Sequence, residues 1–272
     1  MFSDKVSFPT GDAFIECMDG FEKLCGLPMC AGAIDGTFVR IESPTEFGDA
    51  YYCYKKYHAI LLFACVDAAG LFTYLRLGEA GSAGDAATFN RSGLGLRIQE
   101  YLAMPQGSQP QHIDGMEVMP YLVGDGAFKL TEHLMKCYEV GNPTPAQFNF
   151  NYALIRTRRV VECAFGRLKG RFRLLYSTRL RDPVTAVKVS RICCALHNFL
   201  ERRHPYPQDM QMEPVVPSDI NTVNWEPGTM GASGHKRNLL ASYMERVLGV
   251  EPVTYTHAQL GNLLHGPLGF EG

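Results

Sequence analysis

The sequence predicts an α/β domain built on a mixed sheet flanked by helices, and three observations carry that prediction. Apolar, β-branched and aromatic runs cluster early, in CAGAIDGTFVRIE, YHAILLFACV, LFTYLRLGEAG and MPYLVGD. Helical periodicity follows and intervenes, giving the order β-β-β-α-β-α-α-α, in which an antiparallel hairpin continues into a parallel strand. With 272 residues, 46% hydrophobic and 20% charged, the chain can bury a large core without disulfides or a structural metal.

The elements follow in order. Residues 1–30 read as a helical lead-in, with Phe14, Met18, Phe21 and Leu24 at helical spacing. The first strand is CAGAIDGTFVRIE. Two further strands surround the turn Asp67-Ala68-Ala69-Gly70, a hairpin signal. GSAGDAATFNRSGLGLRIQEYLA opens as a Gly-rich loop and continues as one helix, with Asp85 in N-cap position. PQGSQPQHIDG reads as a loop, MPYLVGD as a short buried strand and KLTEHLMKCY as a short helix. A loop then feeds a long helix on which Val161, Phe165, Leu168 and Phe172 form one stripe. Asp182-Pro183 starts the next helix sharply, and that helix, apolar on most sides, is expected in the core. Residues 204–235 are punctuated by Pro, Gly and Ser, and KRNLLASYMERVL closes the ordered part as a short helix. The chain thus divides into 1–30, a main domain 31–203, and an extension 204–272.

Composition narrows the function classes. No run approaches the length of a membrane span, and the first residues have neither a basic nor an apolar signal region. Nine cysteines, an odd number without a C-x-x-C pair, fit buried thiols in a reducing compartment, cytosol or nucleus. A formal charge of −2 speaks against nucleic acid until it is divided: residues 151–203 carry +10 and the remainder −12. Most of those cations are Arg, suited to bidentate phosphate contact. A phosphate-backbone partner and a solvated helix face both account for such a run.

Three acids lie in or beside apolar segments. Asp35 interrupts the first strand, Asp125 ends YLVGD, and Glu162 sits in the basic helix among Arg158, Arg159 and Lys169. Buried carboxylates are seldom left without a partner or metal. Turn chemistry is the plain alternative for the two Asp-Gly pairs, and an ion pair with Arg158 or Arg159 for Glu162. Three carboxylates are also what a two-ion phosphoryl-transfer site requires.

At this point the strings GAIDGTFVRI (32–41), YKKYHAILLFACVDAAGLF (54–72), GSAGDAATFNRSGL (81–94), YLVGDGAFKL (121–130), FNFNYALIRTRRVVECAFGRLKGRFRLL (148–175) and ICCALHNFL (192–200) resemble, in order and spacing, the catalytic domain of PIF/Harbinger-type DDE transposases and their nuclease-like derivatives. The resemblance implies an RNase H-like core and a catalytic triad of Asp35, Asp125 and Glu162. It implies two Mg²⁺ or Mn²⁺ ions held by these acids, with Asp85 as a fourth ligand or simply a helix cap. DNA is the implied partner and the nucleus the implied location. The thirty residues before the first motif leave no room for the family's usual N-terminal DNA-binding region, so site recognition is expected from a separate DNA-binding protein or from an N-terminal region missing from this sequence.

The chain departs from the family pattern at Phe38 and Gly84, where imidazoles are usual, and at Gly126, Ala127 and Phe128, where hydroxyls are lost. A weakened nuclease or strand-transferase is therefore expected. Its rivals are a catalytically silent DNA- or protein-binding module and a small-molecule phosphohydrolase. Arg158, Arg159, Arg167, Lys169, Arg171 and Arg173 are expected to form a continuous basic face bordering the acids. Lys55 and Lys56, among four tyrosines, are either DNA contacts or a solvated edge. His197-Asn198 is read as a buried pair clamping a neighbouring loop.

Overall fold

The protein is described from a computed structural model that covers residues 6–139, 143–205 and 232–248. Helix α1 (Asp12–Cys25) buries Phe14, Cys17, Met18 and Phe21, as its periodicity predicts, and ends at Gly26 with φ 76°. Only glycine adopts that left-handed turn without strain. Strand β1 (Cys30–Arg40) leads through the single turn α2 (Gly48–Tyr51) to β2 (Ala59–Val66) and β3 (Phe72–Ala80). All eight positions of β2 are buried, marking a strand covered on both faces. The β2–β3 turn is the expected one: the Asp67 carboxylate accepts from the Ala69 and Leu71 amides at 3.0 and 2.9 Å.

Where one helix was expected after residue 85, three short pieces form: α3 (Asp85–Arg91), α4 (Gly93–Leu96) and α5 (Ile98–Tyr101). The break has a local cause, since the Ser92 hydroxyl caps a new helix by accepting from the Gly95 amide at 3.0 Å. The segment read as a loop ends in a small ribbon, β4 (Gln111–Ile113) with β5 (Met116–Val118). Its turn, Asp114-Gly115, has positive φ at both residues, which matches the twist of a two-residue hairpin. Strand β6 (Tyr121–Val123) is the expected short buried strand. The helix expected over KLTEHLMKCY is instead β7 (Leu134–Met135). Leu134 and Met135 are buried there beside β6, and sheet pairing outweighs the local helical propensity.

The sheet order is β3-β2-β1-β6-β7. Strands β1 to β3 are antiparallel, while β6 and β7 run parallel to β1. This is a five-stranded mixed sheet flanked by helices, the RNase H-like arrangement the resemblance implies. Helix α6 (Pro145–Arg171) begins at a capping box of Thr144 and Gln147 and buries Val161, Phe165 and Leu168 against the core. Helix α7 (Pro183–Arg203) starts where the Asp-Pro pair predicts, with the Asp182 carboxylate accepting from Val184 and Thr185 amides. Helix α8 (Ala232–Leu248) begins four residues before the expected stretch. Of the loop expected at 204–235, residues 232–235 are helical and residues 206–231 lie outside the described residues, as do 249–272. No described helix is long and apolar enough to cross a membrane. All nine cysteines are free thiols, and seven of them are buried.

Helix α7 is less enclosed than its composition suggests. Ile192, Leu196 and Phe199, at i, i+4 and i+7, stay exposed on one face. Its opposite face locks the sheet. The Asn198 side chain accepts from the Phe72 amide and donates to the Phe72 carbonyl, both at 2.8 Å. His197 Nε2 donates to the Gly70 carbonyl at 3.2 Å, leaving Nδ1 to accept from Arg171. Burial holds this imidazole near pKa 4 and therefore neutral. Buried Glu201 completes the seam, paired with Arg167 at 3.1 Å and Arg171 at 2.6 Å. The expectation of a clamping His-Asn pair is met.

Asn198→Ala removes both partners of the Phe72 backbone and strands buried polar groups. A loss of roughly 2–5 kcal/mol is expected, read as a lower urea midpoint with unchanged slope.

Candidate functional site

The site forms where β1 and β6 part. Their parallel pairing ends at Ala33 and Val123, and the two Asp residues lie two positions further along each chain. Asp35 therefore still belongs to β1, which continues to pair with β2 on its other side. Asp125 has entered a turn, with Oδ1 accepting from the Ala127 amide at 3.0 Å. Asp125 thus lies just past the carboxyl end of β6 and Asp35 midway along β1, both just beyond the point where the parallel pairing of the two strands stops.

Asp85 approaches from the other side. The residue capping α3 is Gly84, and Asp85 is the first helical residue, with no capping hydrogen bond from its side chain. Its carboxylate instead lies over Gly36, where any Cβ would collide with it. The N-cap reading is corrected, because tertiary contact with β1 displaces the local turn. Glu162 stands on α6, half-exposed, and accepts from Arg158 Nη2 at 3.3 Å.

Electrostatics links the acids in pairs, Asp35 with Asp85 and Glu162 and Asp85 with Asp125. Burial first, and then the nearby Asp85 and Glu162 carboxylates, push the Asp35 carboxyl up to about 7 against the pull of the Gly36 amide and Arg158. Asp85 is raised to about 6, by burial first and then by Asp125. Like charges held this close disfavour one another's ionisation. The donors are all hard oxygens, the kind that suits Mg²⁺ or Mn²⁺. Among the described residues no three acidic, His or Cys side chains are drawn together closely enough to hold an ion. The cluster fits a divalent cation in charge and donor type, with two of its acids turned toward an amide and a guanidinium.

The basic residues divide differently from expectation. Arg167 and Arg171 are consumed by Glu201, and Lys169 donates to Thr37 Oγ1 at 2.7 Å and to the Phe38 carbonyl at 2.9 Å. Burial, followed by the neighbouring Lys55, lowers the Lys169 ammonium to about 8. These three are structural cations, and the continuous basic face is broken at them. The reason is tertiary: their partners come from β1 and α7, which a count along one helix does not see. Arg158 and Arg159 are partly buried, whereas Arg173, Lys55 and Lys56 are exposed.

The departures also have structural settings. Phe128 is buried against Phe63 and Phe89, an apolar ring cluster in which a phenol hydroxyl would need a partner. Phe38 meets Tyr54 edge-on, 5.5 Å between centroids, beside the acids. A Cβ on Gly84 would meet open space. The roles of Lys169 as a clamp on β1 and of Tyr54 beside the cluster escape sequence reasoning. Only the alternation of Tyr and Lys over 51–57 hints at the second.

A family profile described as DDE superfamily endonuclease matches residues 34–198, from just before Asp35 to Asn198. A human protein named "Putative nuclease HARBI1" is 28% identical over 201 residues, 72% of this chain and 53% of its own length. An Arabidopsis thaliana protein named antagonist of like heterochromatin protein 1 is 26% identical over 197 residues, covering 72% and 50%. A second from the same plant, ALP1-like, is 29% identical over 189 residues, covering 68% and 46%. The chain spans about half the length of the curated relatives it matches. No solved structure matches it.

The raised Asp35 carboxyl has a thermodynamic consequence. Between the ordinary value of 3.8 and about 7, the folded state binds a proton that the unfolded state has lost. Wild-type stability therefore falls as pH rises through that window. Asp35→Asn removes the penalty and is expected to raise the melting temperature by roughly 2–8 °C at pH 8, in metal-free buffer. The gain should vanish by pH 4; a gain independent of pH contradicts the crowding described here.

Proposed function

The chain belongs to the DDE superfamily endonuclease family, and from that membership we propose that it is a metal-dependent DNA nuclease of the Harbinger transposase type. The observation that supports this reading above the others is the pairwise electrostatic coupling beside the split between β1 and β6, of Asp35 with Asp85 and Glu162 and of Asp85 with Asp125, with the Asp35 carboxyl raised to about 7. Such a cluster costs stability and is relieved by a cation, a pattern typical of catalytic sites.

Asp35, Asp125 and Glu162, joined by Asp85, would hold one or two Mg²⁺ or Mn²⁺ ions. Bound there, such ions supply activation of the attacking hydroxyl and stabilisation of the leaving oxygen of a phosphodiester. The remaining work falls to the chain itself. Lys169 ties β1 to α6 through Thr37 and Phe38, which holds Asp35 in register with Glu162. Gly36, lacking a Cβ, admits the Asp85 carboxylate. Arg158 orients Glu162, and the Ala127 amide orients Asp125. Exposed Arg173, Lys55 and Lys56 supply positive charge for DNA phosphates. The proposal places the protein in the nucleus, with DNA as its partner.

A plasmid-nicking assay tests the reading. Weak nicking with Mn²⁺ and weaker nicking with Mg²⁺ are expected, since Mg²⁺ demands near-ideal octahedral geometry. Asp125→Asn should abolish it. Phe38→His with Gly84→His should raise the rate, because residues that orient ligands typically contribute about 10–100-fold. Wild-type and His-bearing proteins that bind DNA but are equally inert would convert the reading to a silent binding module. That outcome would align the chain with a relative named for antagonism rather than cleavage.

A further inference from the structure

Two concavities adjoin along β1 beyond Asp35. The first, about 200 Å³, has Phe38 and Tyr54 among its walls, with Lys55, Ser82 and Asp85 also lining it. The second, about 670 Å³, is lined by Arg40, Lys56, Tyr57, Arg179 and Arg181 among others. Phe38 and Arg40 are two residues apart on one strand, and Lys55 and Lys56 are consecutive, which sets the two clefts side by side. Asp35 and Arg40 are roughly 17 Å apart along β1.

The contents of the two clefts differ in kind. Tyr54 is 80% exposed, and its ring is held by Phe38 edge-on and by Lys55 5.9 Å from its centroid. A flat aromatic surface kept in water beside a pocket of this size suits a single planar heterocycle. In the second cleft the Arg40 guanidinium lies 5.3 Å over the Tyr57 ring, and Glu42 offsets one cation through its 3.1 Å pair with Arg181. The segment carrying Arg179 and Arg181 is pinned against the end of β1, with the Thr178 amide donating to the Arg40 carbonyl and the Glu42 amide to the Leu180 carbonyl, both 3.1 Å. Aromatic rings followed by fixed cations are the two parts of a single-strand binding groove.

We propose that these clefts form one track for single-stranded DNA, with an unpaired base stacked on Phe38 and Tyr54 and the neighbouring phosphates on Arg40, Lys56, Arg179 and Arg181. The proposal rests on the nuclease reading of the acidic cluster and adds the form of its substrate: DNA frayed or unpaired beside the cut. A duplex keeps its bases stacked inside and cannot offer one to a pocket of about 200 Å³. The track also places the phosphate-binding charge away from Arg167, Lys169 and Arg171, whose charges are engaged within the fold.

The test is fluorescence anisotropy in EDTA, where nothing is cleaved, using a labelled single strand of about 20 nucleotides, its duplex and an abasic strand. Wild type is expected to favour the single strand over both. Tyr54→Ala should weaken it about 5- to 100-fold, the span of base–aromatic stacking, without changing abasic binding, and Tyr54→Phe should restore it. Arg179→Glu with Arg181→Glu should weaken all three probes, and Arg202→Glu with Arg203→Glu none. DNA binding indifferent to Tyr54→Ala, or equal for base-bearing and abasic strands, overturns the track and leaves the nuclease reading standing. Tyr54-dependent binding without nicking by Mn²⁺-loaded protein supports the track and removes the nuclease. Absence of binding to any probe overturns the track, and the nuclease reading then stands or falls with the Mn²⁺ nicking assay.

Discussion

The parting of β1 and β6 is the constraint on which the rest of the structure depends. A strand paired on both sides has no room for a ligand, and one paired on neither has no fixed geometry. β1 satisfies both needs: β2 pairs it from Ala33 to Arg40, while β6 leaves it after Ala33. The open side exposes a rigid stretch of backbone carrying Asp35 and Gly36. Into that opening come Asp125 from the end of β6, Asp85 from the start of α3 and Glu162 from α6. The opening thus puts Asp35 within electrostatic reach of Asp85 and of Glu162, 127 residues away in sequence.

Holding like charges together needs compensation elsewhere, and α7 supplies much of it. Its Asn198 and His197 fasten the β2–β3 hairpin, which stiffens the partner that keeps β1 straight. Its Glu201 binds Arg167 and Arg171, fixing α6 one to three turns from Glu162. Buried ion pairs of this sort contribute little net stability on average but penalise any displacement that separates them. The effect is positional. Helix α6 is held between two restraints, Glu201 on one side and the Lys169 clamp on Thr37 and Phe38 on the other.

The same economy explains how the chain departs from its family without losing the fold. Phe128 sits among Phe63 and Phe89, so the missing hydroxyl leaves a well-packed core. Phe38 loses an imidazole beside the acids and pairs instead with an exposed Tyr54. One substitution is absorbed by packing; the other changes what the surface next to the acids can bind. Both spare the four carboxylates, whose electrostatic coupling comes from the backbone that carries them.

Much of the molecule was legible in the sequence. Period and punctuation alone determined the early strands, the Asp67–Gly70 turn, the Asp182-Pro183 helix start and the stripe on α6, because each depends on neighbours within a few residues. The placement of Asp35 in a strand and of Asp125 just past one was legible for the same local reason. Tertiary structure decided the rest. Leu134 and Met135 became a strand because β6 lay beside them. Asp85 left its capping role for Gly36, and Arg167, Lys169 and Arg171 turned inward to partners 30 to 132 residues away. Charge and propensity are properties of a residue, but a charge's partner and a segment's sheet neighbour are properties of the fold, and no window along the chain contains them.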